Sequence, residues 1–219
     1  MKRKNLIVKR KVERENLSIK NSKTKNFYVK FKNIISKNIK KEIFAVAVSG
    51  GSDSLCLAYL SKLYENEFKN KIHFLIVNHN LRKESKAESL KVKKILNLKK
   101  IKSKVLEWKG KVPKNNIQKN ARDMRYSLLS KYCLKNNIKF LLTGHHLDDQ
   151  IENFFIRLIR GSGLTGLSSM SEVSKYNNNL KILRPLLNFK KKDLQLVTLN
   201  YFKTYIKDPS NKNENFLRV

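Results

Sequence analysis

The sequence predicts an α/β fold, a parallel sheet with helices on both faces, of the Rossmann type. Three observations carry that expectation. From Glu42 onward, apolar runs of strand length alternate with amphipathic segments of helix length. Crossovers of that length join strands in the parallel sense and with right-handed connections. A glycine turn, Ser49-Gly50-Gly51-Ser52-Asp53-Ser54, follows the first apolar run directly, at a strand–helix junction where open α/β sheets bind ligands.

Each element follows from its local pattern. Residues 1–41 are dense in Lys and Arg, contain no Gly or Pro, and show little periodicity; they read as a basic, partly disordered N-terminal arm with a helix near Val29–Asn38. Ile43–Val48 is an unbroken apolar run and reads as a buried strand. Ser54–Tyr64 then reads as helix, Ile72–Asn78 as strand, Glu84–Leu96 as helix and Lys102–Trp108 as strand. Ile117–Leu134 is helical, Phe140–Thr143 a strand and Asp148–Arg160 a helix. Beyond Gly161 the pattern weakens to a short strand at Ile182–Arg184 and a helix at Lys191–Tyr205.

Composition narrows the partners. The 219 residues hold 49 Lys+Arg against 17 Asp+Glu, a net charge of +32. Such a field repels itself and points to a polyanion such as RNA, DNA or an anionic membrane. No apolar run approaches the roughly 20 residues of a membrane span, and no signal-peptide core is visible. Two cysteines, Cys56 and Cys133, make neither a disulfide framework nor a zinc set, so buried thiols and a reducing cytoplasm are the expectation.

The glycine turn carries the chemistry. Paired glycines let the backbone turn where a Cβ would clash. Their amides, the serine hydroxyls and the positive end of the following helix can converge on an anion. A nucleotide P-loop would need a lysine that is missing here, and the GxGxxG spacing is absent. In the helix from Asp148, Asp149, Glu152, Asn153, Arg157 and Arg160 share one face by 3–4 spacing, while Ile151, Phe154, Phe155, Leu158 and Ile159 fall mainly on the other; the apolar side is expected against the sheet. His145 and His146 precede that helix with no third ligand at metal spacing, so phosphate or nucleotide contacts are the expectation. Arg122 and Arg125 lie one turn apart and present planar forks suited to phosphate.

The hexapeptide after Ala45-Val46-Ala47-Val48 resembles the SGGxDS loop of the N-type ATP pyrophosphatases, the PP-loop superfamily. Further segments are similar to those of tRNA(Ile)-lysidine synthases. They are Val77–Arg82, with Asn78 where the family has Asp; Asn116–Tyr126; Gly144–Glu152; Arg157–Leu167; Arg184-Pro185-Leu186; and Asp208–Asn211. The resemblance runs from about Ile43 to Arg218 and implies an adenine nucleotide alpha hydrolase-like fold. It implies that ATP and Mg²⁺ are used, with Ser49, Gly50, Gly51, Ser52, Asp53 and Ser54 cradling pyrophosphate and Asp53 beside the metal. It places His79, Arg125, His145, Asp149 and Glu152 at catalytic or substrate-binding positions, and Arg122, Arg157, Arg160 and Arg218 toward tRNA or phosphate. The implied substrates are a CAU-anticodon tRNA(Ile) and free L-lysine, joined through an adenylated cytidine. The implied division is a basic arm (1–41), a PP-loop catalytic domain (42–170) and its C-terminal part (171–219), without the usual C-terminal tRNA-binding domains. Two rivals remain: a thiolating relative, whose cysteine chemistry Cys56 and Cys133 do not fit, and a basic RNA-binding protein with a degenerate loop.

Overall fold

The computed structural model describes residues 22–40, 42–82, 84–110, 116–161 and 170–206. In chain order the elements are α1 (Ser22–Ile39), β1 (Phe44–Ala47), α2 (Ser52–Phe68), β2 (Ile72–Asn78), α3 (Ser85–Leu98) and β3 (Ser103–Glu107). There follow α4 (Ile117–Lys135), β4 (Phe140–Leu142), α5 (Leu147–Ile159), β5 (Val173–Lys175), β6 (Lys181–Leu183) and α6 (Lys191–Phe202).

The strands form one sheet in the order β3-β2-β1-β4-β6-β5. All neighbours are parallel except β5, which runs antiparallel to β6. Phe44 lies between Ile72 and Phe140 in register, so β1 is central. From β1 the chain winds outward to β2 and β3 on one side, then returns to place β4 on the other. The direction of winding reverses between β1 and β4, and the crevice beyond their carboxyl ends is where such sheets bind ligands.

Alternation along the strands divides the core in two. Phe44, Val46, Phe74, Ile76, Phe140, Leu142 and Leu183 face one side with α1, α2, α3 and α6. Ala45, Leu75, Leu141 and Ile182 face the other, against Tyr126, Leu129 and Cys133 of α4. Both faces are covered, as the unbroken apolar strands require.

Three features differ from the sequence expectation. The helix expected near Val29–Asn38 begins at Ser22, and Tyr28, Phe31, Ile35 and Ile39 on its inner stripe belong to the larger core. Phe27 packs on Phe189 at 4.6 Å between ring centroids, Tyr28 donates to the Glu67 carboxylate, and Lys32 pairs with Glu67 at 2.9 Å. A boundary at residue 42 therefore severs a packed helix; burying one such side chain contributes about 1.5–3 kcal/mol. The alternating Lys of this stretch hid an i, i+3/i+4 stripe. Second, β5 has three residues and one apolar side chain, too short for a periodic signal. Third, α5 does not lay its apolar side on the sheet: none of its residues is buried, and Ile151, Phe154, Phe155, Leu158 and Ile159 are exposed. The remainder of the arm, residues 1–21, lies outside the described residues.

Candidate functional site

The glycine turn lies at the winding reversal. Val48 N–H donates to Leu75 O at 2.8 Å, holding β1 to β2 up to the start of the turn. The amides of Ser49 and Gly50 both point at Ser54 Oγ, at 3.2 and 3.1 Å, and Ser54 Oγ donates to Gly51 O at 3.0 Å. Ser49 Oγ lies 3.1 Å from the same hydroxyl. Gly50 has φ +93°, and a Cβ on it would lie 2.5 Å from Val92 Cγ2 of α3, so conformation and close approach both demand glycine.

The sequence reading expects glycine amides and serine hydroxyls to converge on an anion. Convergence is present, but a hydroxyl of the chain stands at its focus. Donors also come from the helix. Gly51 caps α2 without a side-chain bond, and Leu55 N–H is bonded to Gly51 O at 3.0 Å. The amides of residues 52–54 precede that bond and open from the helix N-terminus with the positive end of its dipole. An anion arriving here meets those donors, and takes those of Ser49 and Gly50 if Ser54 turns aside.

The turn is braced from behind. Thr198 Oγ1 of α6 donates to Ser52 O at 2.6 Å, and Ile206 N–H to Gly50 O at 2.9 Å. Across the crevice, Gly144 follows β4; a Cβ there would come within 3.1 Å of the Asp53 carbonyl carbon and Ser54 N.

His146 joins the two strand ends. It is 4% exposed and is the N-cap of α5. Its Nδ1 accepts from Asp149 N–H at 3.3 Å, while its own N–H donates to Asp149 Oδ2 at 3.0 Å, a reciprocal capping box. Its Nε2 lies 3.5 Å from Asp53 Oδ2 and 3.6 Å from Asp149 Oδ2. The cap needs Nδ1 unprotonated, so the neutral ring carries its proton on Nε2, toward Asp53. Burial pushes the imidazole toward its neutral form, but Asp53, Asp149 and Asp148 outweigh it and hold the pKa above the ordinary histidine range. Asp53 responds in kind. Burial alone would raise its carboxyl, but His146, Ser52 and Lys191 bring it below its usual value. The sequence reading expects phosphate or nucleotide contacts of His145 and His146 alike; what it lacks is the link of His146 to Asp53 and Asp149, whose signal is its position as N-cap, three residues before Asp149.

The remaining expected residues divide into two groups. His145 is joined to Thr143 Oγ1 at 2.9 Å; burial, then Arg184 and Arg122 against the pull of Asp149, bring its pKa down to about 4. Arg184 is buried, donating through Nη1 to Ser171 O at 3.0 Å and Ser174 Oγ at 2.9 Å. Arg122 lies exposed over the Tyr126 ring at 5.2 Å, and Arg125 is exposed one turn further along α4. Glu152 is half-buried on the inward side of α5. His79 follows β2, its Nδ1 accepting from Leu81 N–H at 3.3 Å and facing Ser85 Oγ at 3.4 Å. Asn78 beside it is buried and accepts from Asn80 N–H at 3.2 Å. Arg157 and Arg160 lie about 12 and 16 Å from Asp149 along the helix, at 1.5 Å per residue, and are not drawn to the turn. Arg218, Asp208–Asn211 and residues 162–167 of the expected motifs lie outside the described residues.

Among the described residues no cluster of three His, Cys, Asp or Glu could hold a metal by itself. Asp53, an ionised carboxylate at the mouth of the glycine turn, would fit the other mode, a Mg²⁺ held mostly by phosphate oxygens with one or two carboxylates. Cys56 and Cys133 are buried on opposite faces of the sheet. Burial pushes the Cys133 thiol up to about 12 and the Cys56 thiol higher still, so neither is a ready thiolate.

A family model described as a PP-loop domain matches residues 23–219. A tRNA(Ile)-lysidine synthase of Orientia tsutsugamushi (strain Boryong) is 45% identical over 175 residues, covering 80% of this chain and 39% of the relative. The corresponding enzyme of Wolbachia pipientis wMel is 40% identical over 196 residues, covering 86% of this chain and 44% of its own length. That of Rickettsia akari (strain Hartford) is 40% identical, covering 80% and 40%. The chain thus spans about two fifths of the length of these relatives. Among solved structures, a U34-tRNA thiolase from Methanococcus maripaludis, with its [4Fe-4S] cluster, superposes with a TM-score of 0.73 at 22% identity, covering 87% of this chain and 68% of that one; that likeness speaks for the fold.

Proposed function

This chain belongs to the PP-loop domain family, and on that premise we propose that it performs the chemistry of a tRNA(Ile)-lysidine synthase. The observation that carries the reading is the link Asp53–His146–Asp149, which sets a phosphate-type turn against the acidic start of α5 across one crevice. ATP binds with its β,γ-phosphates on the turn after β1 and the α2 amides. O2 of the first anticodon cytidine of a CAU-anticodon tRNA(Ile) attacks the α-phosphorus, the bond to the bridging oxygen breaks, and pyrophosphate leaves. The ε-amine of free L-lysine then attacks ring carbon 2, and AMP departs with the oxygen, leaving lysidine.

Each candidate residue has a role in this scheme. Asp149 and Glu152 hold the lysine ammonium, whose pKa of about 10.4 means it arrives protonated; a carboxylate there is placed to take the proton before attack. Arg125 faces the adenylated base, while His79 and a neutral His145 contact the nucleotide. Mg²⁺, when bound beside Asp53, supplies charge neutralisation of the phosphates. Arg122, Arg157 and Arg160 lie outside the triphosphate site and serve RNA phosphates. The buried, high-pKa cysteines count against sulfur transfer. The base must leave its stack to reach the crevice, and positioning with charge stabilisation does the rest.

The test is incubation with ATP, isotopically labelled lysine and a CAU-anticodon tRNA, followed by mass analysis of nucleosides. Lysidine with one pyrophosphate released per nucleotide modified is expected; absence of both products with a folded protein refutes the assignment.

A further inference from the structure

We propose that Tyr176, at the start of the β5–β6 turn, is a stacking platform for an unpaired RNA base that flanks the base held in the crevice. The proposal rests on the reading of RNA as substrate given above. It starts from one row of α4: Arg122, Tyr126 and Ser130 follow one another at i, i+4 spacing and share a face. Arg122 lies over the Tyr126 ring at 5.2 Å, and Tyr176 stacks on the same ring with 5.6 Å between centroids and 24° between planes. Asn177 Nδ2 donates to Ser130 Oγ at 3.0 Å. Tyr126 is thereby 9% exposed, whereas Tyr176 is 41% exposed. With one face on Tyr126, it is the opposite face of Tyr176 that solvent reaches. The turn that carries it is fixed before any ligand arrives. Tyr176 N–H and Asn177 N–H both donate to Leu180 O, at 2.9 and 3.3 Å, and Asn177 Oδ1 accepts from Asn179 N–H at 3.0 Å. A ring held in this way loses little freedom on binding.

Three features select single-stranded RNA as the occupant. An open aromatic face accepts any unpaired base. Arg122 adds a cation at the far end of the stack, in a chain of net charge +32. Asn178 and Asn179 are exposed in the same turn, and an amide both donates to and accepts from a base edge. Burial, then Asp123 and Tyr126, raise the pKa of the Tyr176 phenol above its ordinary value, so it stays protonated. The Asp123 carboxylate also keeps a phosphate off that flank and suits a base amine instead. The placement gives the order of contacts. As the crossover between strands of the same direction, α4 runs against them, and its first turns lie at the carboxyl edge, where Arg122 and Arg184 act on His145. The β5–β6 turn lies at the opposite edge, since Lys181 pairs with Phe140 at the start of β4. An RNA strand leaving the crevice along α4 therefore meets Arg122 first and Tyr176 after it.

Binding of a CAU-anticodon stem-loop RNA to the full chain, followed by fluorescence anisotropy over a range of salt, tests it. Tyr176→Ala is expected to weaken binding about tenfold, the scale of one lost base stack. ATP affinity and the dependence of RNA affinity on salt should both stay unchanged, because no phosphate contact is lost. Tyr176→Phe should bind as the wild type does. Tyr176→Leu, which still covers Tyr126 but offers no ring, should bind as weakly as the Ala variant. Ala and Leu variants that bind like the wild type overturn the proposal, and so does a Phe variant as weak as Ala or an altered salt slope. Lysidine formation is read in parallel. Product formed with no dependence of RNA binding on Tyr176 keeps the reaction and removes the platform. Tyr176-dependent binding without product removes the reaction and keeps the platform, and a chain that binds no RNA removes both.

Discussion

Replacing His146 separates its two tasks. In His146→Ala both are lost. The side-chain cap is worth about 1 kcal/mol. The Nε2 contact with Asp53 is charge-assisted, a class worth about 1.5–3 kcal/mol, but its 3.5 Å length is long for a hydrogen bond and puts it near about 1 kcal/mol. A total loss of about 2 kcal/mol lowers the melting temperature by about 4–8 °C in a domain of this size. His146→Asn keeps an oxygen to accept from Asp149 N–H but is too short to reach Asp53, so it should recover the cap and about half of the stability. ATP affinity sorts the variants differently. If His146 holds Asp53 in place at the phosphate turn, both weaken ATP binding, by about tenfold for about 1.4 kcal/mol. Calorimetric unfolding and titration with ATP read the two effects separately. An Ala variant that melts with the wild type, or an Asn variant that binds ATP as the wild type does, would refute the reasoning.

Other expectations follow from the same geometry. Gly50→Ala combines a positive φ with a 2.5 Å approach to Val92, and should cost about 1–3 kcal/mol with a marked loss of ATP binding, read by chemical denaturation and nucleotide titration. Thr198→Val removes the second donor to Ser52 O, which keeps its helical partner, and should lower stability by about 0.5–1.5 kcal/mol, measured in urea. His145 should shape acid sensitivity. Its folded pKa, about 4, lies below its unfolded value, so the unfolded chain takes up the proton first and stability falls as pH drops from about 6.5 toward 4; His145→Gln should flatten that part of a pH–stability curve. Deleting residues 1–20 should weaken tRNA binding and flatten its salt dependence, whereas deleting 1–41 also removes Phe31 and Ile35 from the core and should unfold the protein.

Most of the sheet was legible because buried parallel strands are short apolar runs and nothing else in the chain looks like them. The strand at Ile72–Asn78 was read residue for residue. The glycine turn was equally plain, since few six-residue segments combine paired glycines, three serines and an acid. What escaped depended on contacts distant in sequence. The stripe of α1 is apolar only at every third or fourth residue, amid lysines, and acquires meaning when Phe27 meets Phe189. The orientation of α5 could not be taken from periodicity, which reveals that a helix has two sides but not which one the fold needs inside; the capping box with His146 decided it in favour of the carboxylates. The bridging place of His146 was not visible in its pairing with His145, because it depends on two carboxylates from different strand ends.

The bond from Thr198 to Ser52, spanning 146 residues, has a consequence for biosynthesis. A ribosome delivers the turn after β1 early and α6 late, with Ile206 later still. Until then the carbonyls of Gly50 and Ser52 lack their braces, and a nascent chain stalled near residue 170 holds every residue of the turn without its rigid shape. The turn thus acquires its rigid shape only once α6 and Ile206 have emerged, more than 140 residues after the turn itself is made.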